Sequence, residues 1–398
     1  MAGSSMRQQV FLLASAQALF QTASVMVMTV GGLAGGHIAT RPELATLPIA
    51  AMFLGTATAT FPASMWMSRV GRRAGFVLGA LLGAVGGVAG AAGIWMGSLL
   101  LLSVGTFLVG AYQAFAQFYR FAAGEVADDV FRAQAISLVL AGGVVAALAG
   151  PMVGRLGADL FPAQYAGSFL LLALVSMLGA GVLLGLRIPA PREEAGSTAA
   201  ARPWRVIVSQ PAYLAALFGA ATGYGVMILA MTATPLAMVH HQHDLGAAAM
   251  VIQLHVLGMF LPSFFTGSLI TRFGVLRIML AGVFVLAGHV MLTLTGTGFA
   301  SFASALVLLG VGWNFLYIGG TTLLTTTYTV TERGRAQATN DMTIFAVGVA
   351  SSFGAGGLLQ ALGWQMLNAV LLPWLALAAA AILWLGYSRR RAEALVTP

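Results

Sequence analysis

The chain has no cysteine. Disulfide frameworks and thiolate metal sites are therefore excluded. It has no lysine either, so each basic residue is an arginine. Charge is scarce altogether: 8% of the residues are charged, whereas a soluble domain carries roughly 25%. A surface so poor in charge is not solvated by water. With 59% hydrophobic residues and a mean hydropathy of +0.91, the natural solvent of this chain is lipid. Buried carboxylates are almost absent from the apolar stretches, and Asp341 comes closest to lying inside one. No nucleotide-binding loop, appended soluble domain or nucleophile–base pair is visible. An enzyme is not expected, nor a prosthetic group, nor nucleic acid as a partner.

The apolar residues fall into runs long enough to cross a bilayer, which takes about 20 residues. Twelve helices are predicted near 9–33, 44–67, 74–95, 98–119, 133–154, 164–186, 210–236, 247–270, 276–296, 299–326, 337–359 and 363–387. The first is longer than a signal-peptide core and reads as a retained helix. Residues 188–208, rich in Pro, Gly, Ser and charge, read as a cytoplasmic linker. It separates an N-terminal six-helix bundle (1–187) from a C-terminal one (209–398). With both termini in the cytoplasm, all arginines except Arg41 and Arg155 fall on the cytoplasmic side, as the positive-inside rule requires. That rule also accounts for the net charge of +8 without an anionic partner.

The halves repeat. Arg69-Val-Gly71 ends the second span and Arg272-Phe-Gly274 the eighth; Arg132-Ala-Gln-Ala135 opens the fifth and Arg335-Ala-Gln-Ala338 the eleventh, at one common offset. Two matches at the same offset mark a duplicated six-helix unit. The fold expected is an all-α membrane protein of twelve transmembrane helices in two pseudo-symmetric six-helix bundles.

The segment Ser64-x-x-x-Ser68-Arg69-Val-Gly71-Arg72-Arg73 resembles the signature loop of the major facilitator superfamily, with serines at its Gly and Asp positions and Thr271 at the second Asp position. Gly150-Pro151-Met-Val-Gly154 resembles the kink motif of its fifth helix. The arginine of the family's fourth helix would fall near Thr106. The resemblance covers the whole chain and implies a secondary transporter working by alternating access.

Met227 and Met231 in the seventh span form an MxxxM pair, and His255 and Met259 in the eighth an HxxxM pair. Spacing of i, i+4 places both members of each pair on one helix face. The pairs lie at comparable depths at about 1.5 Å rise per residue. An antiparallel hairpin would then bring three thioethers and one imidazole together, a soft set suited to Cu(I); plain packing is the other reading. These motifs resemble the CcoA-type copper importers, near relatives of riboflavin transporters. That resemblance implies Cu(I) as the transported ion, the four residues as its ligands, and a role in supplying the assembly of cbb3-type cytochrome oxidase in a bacterial inner membrane. Such a carrier is expected to be a monomer in the lipid bilayer.

His240, His241 and His243, in the loop between those spans, are candidates for metal capture. Arg69 with Glu125, and Arg272 with Glu332, are candidate gating pairs on the cytoplasmic side. Asp341 is a candidate coupling group. Met26 and Met28 extend a methionine path or simply pack, and His289 reads as a helix–helix hydrogen-bonding residue. The alternative to copper is an organic solute, by riboflavin-like uptake or drug-type efflux. Trp313, Phe315 and Tyr317 of the tenth span suit a planar one.

Overall fold

The computed structural model describes residues 2–40, 44, 47–188 and 202–396. Among the described residues the ordered elements are helical and no strand occurs. Eleven helical stretches are long and apolar enough to cross a membrane. The last, Arg333–Arg391, is interrupted at Gly363, whose φ of 73° and ψ of 172° no helix can hold. Glycine adopts positive φ without the Cβ penalty, so this stretch contains two spans and the twelve expected crossings are present.

The first compact unit comprises Met1–Asp128 and Leu138–Ala199. It contains α1 (Ala2–Ile38), α2 (Leu47–Val70), α3 (Arg72–Trp95), α4 (Leu99–Ala116), α5 (Tyr119–Val126), most of α6 (Arg132–Ala158) and α7 (Ala166–Leu184). Here α3 packs between α4 and α7. The α3–α4 contact is a glycine seam: a Cβ on Gly86 would lie 2.5 Å from the carbonyl oxygen of Gly105, and one on Gly105 would lie 2.5 Å from the amide nitrogen of Gly90. Backbone meets backbone there. Met26 belongs to the apolar core with Ala23, Val27, Met52, Val109 and Leu172, whereas Met28 is exposed.

The second unit comprises Asp129–Ser137 and Ala200–Pro398. It contains α8 (Trp204–Val208), α9 (Pro211–His240), α10 (Leu245–Phe260), α11 (Ser263–Phe273), α12 (Val275–Leu294), α13 (Phe299–Leu324), α14 (Arg333–Ala369) and α15 (Leu371–Val396). Its centre is α13, against which α9, α10 and α12 all pack. The opening of α6 clusters with this unit. Ser137 Oγ donates to the Ser263 carbonyl and accepts from Gly267 N at 3.0 Å.

Three expectations change. The fourth span does not end at 119; α5 carries it on to Val126, so Arg120 and Glu125 lie in its C-terminal part. The eighth bends at Pro262, which lacks the amide hydrogen a continuing helix needs, and resumes as α11. Of the expected linker, residues 189–201 lie outside the described residues, as does Arg41. Its final part is ordered rather than free: Ile207 of α8 is buried, and Arg202 is tied to Glu332. Large apolar side chains are widely exposed, among them Phe353 at 85% and Leu100 at 75%. On a protein in water such a surface would drive association; here it matches lipid contact.

Candidate functional site

The site-bearing face of α10 begins at its N-cap, where Asp244 Oδ1 accepts from Ala247 N at 2.7 Å. A Cβ on Gly310 of α13 would lie 2.6 Å from both the His255 carbonyl oxygen and the Met259 amide nitrogen, so α10 and α13 touch closely. His255 is fully buried, with Nδ1 2.9 Å from the Leu306 carbonyl of α13. Its Nε2 is buried without a hydrogen-bond partner. Met259 is buried one turn further along. Its carbonyl, near the end of α10 where helix N–H donors run short, takes a hydrogen bond from Asn314 Nδ2 at 2.7 Å. Asn314 also donates to Ser263 Oγ (2.6 Å) and accepts from Thr266 Oγ1 (2.7 Å), so the bend is fully bonded.

Met227 is buried and Met231 half-buried on α9. α9 and α10 touch as the expected hairpin requires, but that contact is the smaller part of the packing of each. α9 packs mainly on α13 and α14, and α10 mainly on α13. Small residues explain this: a Cβ on Gly320 of α13 would lie 2.8 Å from the Ala216 carbonyl of α9, a close approach only glycine permits. Among the described residues no three His, Asp or Glu side chains come together in a way that would hold a metal ion.

The loop histidines lie close together. His240 and His241 meet edge to face at 5.4 Å. His241 and His243 both lie against Phe302, at 6.4 and 5.7 Å, and His243 Nε2 is 2.8 Å from the Thr297 carbonyl. Partial burial, with the neighbouring His240 and His243, pushes the pKa of His241 down. His289 has a polar neighbour at each ring nitrogen, with Nδ1 2.8 Å from the Ala305 carbonyl and Nε2 3.1 Å from Asn368 Oδ1.

Aromatic rings form the largest constellation in the second unit. Trp313 and Tyr317, one turn apart on α13, stack with centroids 4.8 Å apart and planes 16° apart. Phe260 of α10 meets Trp313 edge-on at 5.8 Å. Tyr224 of α9 lies 6.3 Å from Tyr317 and 5.7 Å from Phe345 of α14. Trp313 Nε1 is buried without a partner. Phe315 is on another face, with its Cβ toward Gly282 of α12.

The carboxylates take partners other than those expected. Glu125 pairs with Arg72, Oε1 to Nη2 at 2.6 Å, while Arg69 is exposed. Gly71 (φ 91°) separates the two arginines, leaving Arg69 at the end of α2 and Arg72 in the first turn of α3. Glu332 pairs with Arg202, accepting from its Nη2 (2.6 Å), Nε (2.8 Å) and backbone N (2.9 Å), and from Thr329 N (2.9 Å). The Arg202 guanidinium holds the Glu332 carboxyl at about 2, against the opposing effect of burial. Arg272 is exposed over the Phe273 ring. Asp341 is buried inside α14, with Oδ1 2.9 Å from Asn340 Nδ2.

Sequence reasoning missed Arg120. It is 2% exposed, bonded to Gln117 through the carbonyl (3.1 Å) and Oε1 (2.9 Å), with its guanidinium 4.5 Å from the Phe121 centroid. The run Phe-Tyr-Arg-Phe, apolar on both sides of the charge, was the available signal.

The sequence matches the Major Facilitator Superfamily over residues 11–252 and 220–397. The riboflavin transporter RfnT of Brucella anthropi is 41% identical over 373 residues, covering 93% of this chain and 94% of that one. YdeG of Bacillus subtilis, an uncharacterised MFS-type transporter, is 32% identical over 342 residues, covering 81% and 79%. Among solved structures, the fucose:proton symporter FucP of E. coli superposes with a TM-score of 0.75 at 16% identity, covering 94% of this chain and 98% of that one. A bacterial homologue of the iron transporter ferroportin, in an outward-facing state, gives 0.70 at 16% identity with the same coverage. Identities this low speak for the fold alone.

Proposed function

Because this chain belongs to the major facilitator superfamily, we propose that it is a secondary carrier of a planar aromatic solute of the riboflavin type. The observation that carries this reading is the buried Trp313–Tyr317 stack with Tyr224, Phe260 and Phe345 around it. Stacking on aromatic rings contributes about 1–3 kcal/mol per flat base, and an isoalloxazine ring offers a larger face. The near-full-length likeness to a riboflavin transporter supports the same solute class. A bacterial inner membrane with cytoplasmic termini fits the arginine distribution. Each chain holds both repeats, so the working unit is a monomer.

Asp341 is the group we assign to coupling, as a carboxyl closed inside α14. Copper import remains the second reading, favoured by one observation: the bare Nε2 of His255 sits one turn from Met259.

One experiment separates the two. The gene is expressed in a bacterium that neither makes nor imports riboflavin, and both labelled riboflavin uptake and cellular copper are measured. The proposal expects growth on micromolar riboflavin and unchanged copper. Raised copper with no riboflavin uptake would replace it with the copper reading.

A further inference from the structure

Two histidines are fully buried in the apolar interior of the second unit, and both anchor Nδ1 on α13. His255 reaches the Leu306 carbonyl at 2.9 Å, and His289 reaches the adjacent Ala305 carbonyl at 2.8 Å. A carbonyl oxygen only accepts, so in each ring Nδ1 carries the proton that makes the bond. In His289 the other nitrogen faces the side-chain oxygen of Asn368 at 3.1 Å, a contact that is a hydrogen bond when that nitrogen carries a proton as well. In His255 the other nitrogen has no partner. A neutral imidazole bonded in this way presents a lone pair at Nε2, a strong acceptor. Left unmet in the interior of a protein, such a group is destabilising. Lipid supplies no water to relieve it.

The ring is not free to seek another partner. The α10 backbone at His255 lies against Gly310 of α13, and the Leu306 bond fixes the orientation of the ring. Just over one turn along α10, Phe260 meets Trp313, where the stacked rings begin. Trp313 Nε1, on the same pair of helices, is a buried donor also without a partner. The α10–α13 contact thus holds two unmet polar atoms of opposite sense beside a stack of rings.

We infer that His255 Nε2 is the hydrogen-bond acceptor for a ring N–H of the carried solute. In riboflavin the matching group is the imide N–H at position 3, flanked by two carbonyls on the edge of a flat ring system. The inference rests on the riboflavin-type reading above and deepens it: the stack holds the faces of the ring, and His255 reads its edge. In the conformation described, Nε2 is closed off, so the solute engages it when the carrier opens that side. No proton is transferred and no bond is broken; the solute N–H donates and His255 accepts.

The test uses riboflavin and 3-methylriboflavin, in which a methyl group replaces the imide hydrogen. A site built around a donor rejects the analogue that lacks it. In wild-type cells, 3-methylriboflavin should compete with labelled riboflavin uptake at least tenfold less well than riboflavin itself. In His255→Phe, brought to equal membrane abundance, riboflavin uptake should weaken and the two compounds should compete within twofold of each other. Wild-type cells that import riboflavin but treat the two compounds alike would overturn the inference and leave the proposed function standing. A variant that keeps the tenfold preference would do the same. Absence of riboflavin uptake by the wild type would overturn both. The wild-type comparison needs no substitution, so a variant that fails to fold leaves it decisive.

Discussion

The two halves share their arginine signposts but not their interiors. At the offset that aligns Arg69 with Arg272 and Arg132 with Arg335, Gly110, Ala111 and Ala114 of the first unit stand where the second has Trp313, Asn314 and Tyr317. Met52, a core residue, stands where the second has His255. In the other direction, buried Arg120 corresponds to buried Leu323. The first unit thus fills these positions with small residues, Met52 and the buried Arg120. The second fills the same positions with rings and hydrogen-bonding groups. Duplication supplied the frame, and divergence at these positions put a cluster of rings in one half.

The sharpest test of that asymmetry is removal of the stack. Trp313→Ala should lower riboflavin uptake tenfold or more at normal membrane abundance, in keeping with about 1–3 kcal/mol of stacking. Phe315→Leu, two residues away on another face, should change it less than twofold. Equal losses in the two would mean the cluster is packing rather than a site.

Next in size is Asp341→Asn. If this carboxyl couples solute movement to an ion, concentrative uptake should fall several-fold while exchange of labelled for unlabelled riboflavin across the membrane persists. Loss of both activities together would assign Asp341 to binding or folding instead.

The charge pairs should give smaller effects, of a different kind in each half. Arg72→Glu or Glu125→Arg alone should reduce uptake a few-fold, and the double swap should recover part of it. Pairing Glu125→Arg with Arg69→Glu should recover nothing, because Arg69 is exposed and away from Glu125. In the second half the measurement is stability against pH. The Glu332 carboxyl titrates at about 2 in the folded protein, below its ordinary 4.5. A depressed carboxylate stabilises the fold above its unfolded value, and that stabilisation fades as pH falls through the folded one. The melting temperature of the wild type in detergent should therefore exceed that of Glu332→Gln by a constant amount between pH 5 and 8. The gap should narrow from pH 4.5 toward 2. A gap that widens on acidification would show that Arg202 does not hold this carboxylate.

The smallest effect is expected at the outer loop. Replacing His240, His241 and His243 together with Ala should leave riboflavin uptake within twofold, since His243 is bonded to the Thr297 carbonyl and none of the three touches the ring stack on α13. A large loss would return the loop to the transport path.

Run length and arginine placement made the spans and the repeat legible before any coordinates, because lipid imposes both directly. The inner end of the fourth span was not legible. A charge such as Arg120 reads as a loop until Gln117 and Phe121 are seen to enclose it. The partners of Glu125 and Glu332 depend on the one-residue break at Gly71 and on a linker arginine, and no spacing rule encodes either. The four proposed metal ligands were visible as pairs on helix faces. Neighbours in sequence suggested a hairpin; α9 and α10 do touch, but the glycines of α13 make α13 the main partner of α10 and a main partner of α9, which no spacing rule foretells. Two of the three ring residues singled out in the tenth span do form the stack. Their partners Tyr224, Phe260 and Phe345 come from three other helices, beyond the reach of periodicity.

The glycine seam of the first unit has a mechanical consequence. Where Gly86 and Gly105 meet, the nearest atoms across the joint are main chain rather than the flexible end of a side chain. Main chain yields less than a rotamer does, so α3 and α4 should move together. Amides along that seam should be among the last in the unit to exchange with deuterium. Substitutions there should show themselves as softening: Gly105→Ala would admit water and deuterium to a joint that otherwise stays shut until the whole bundle opens.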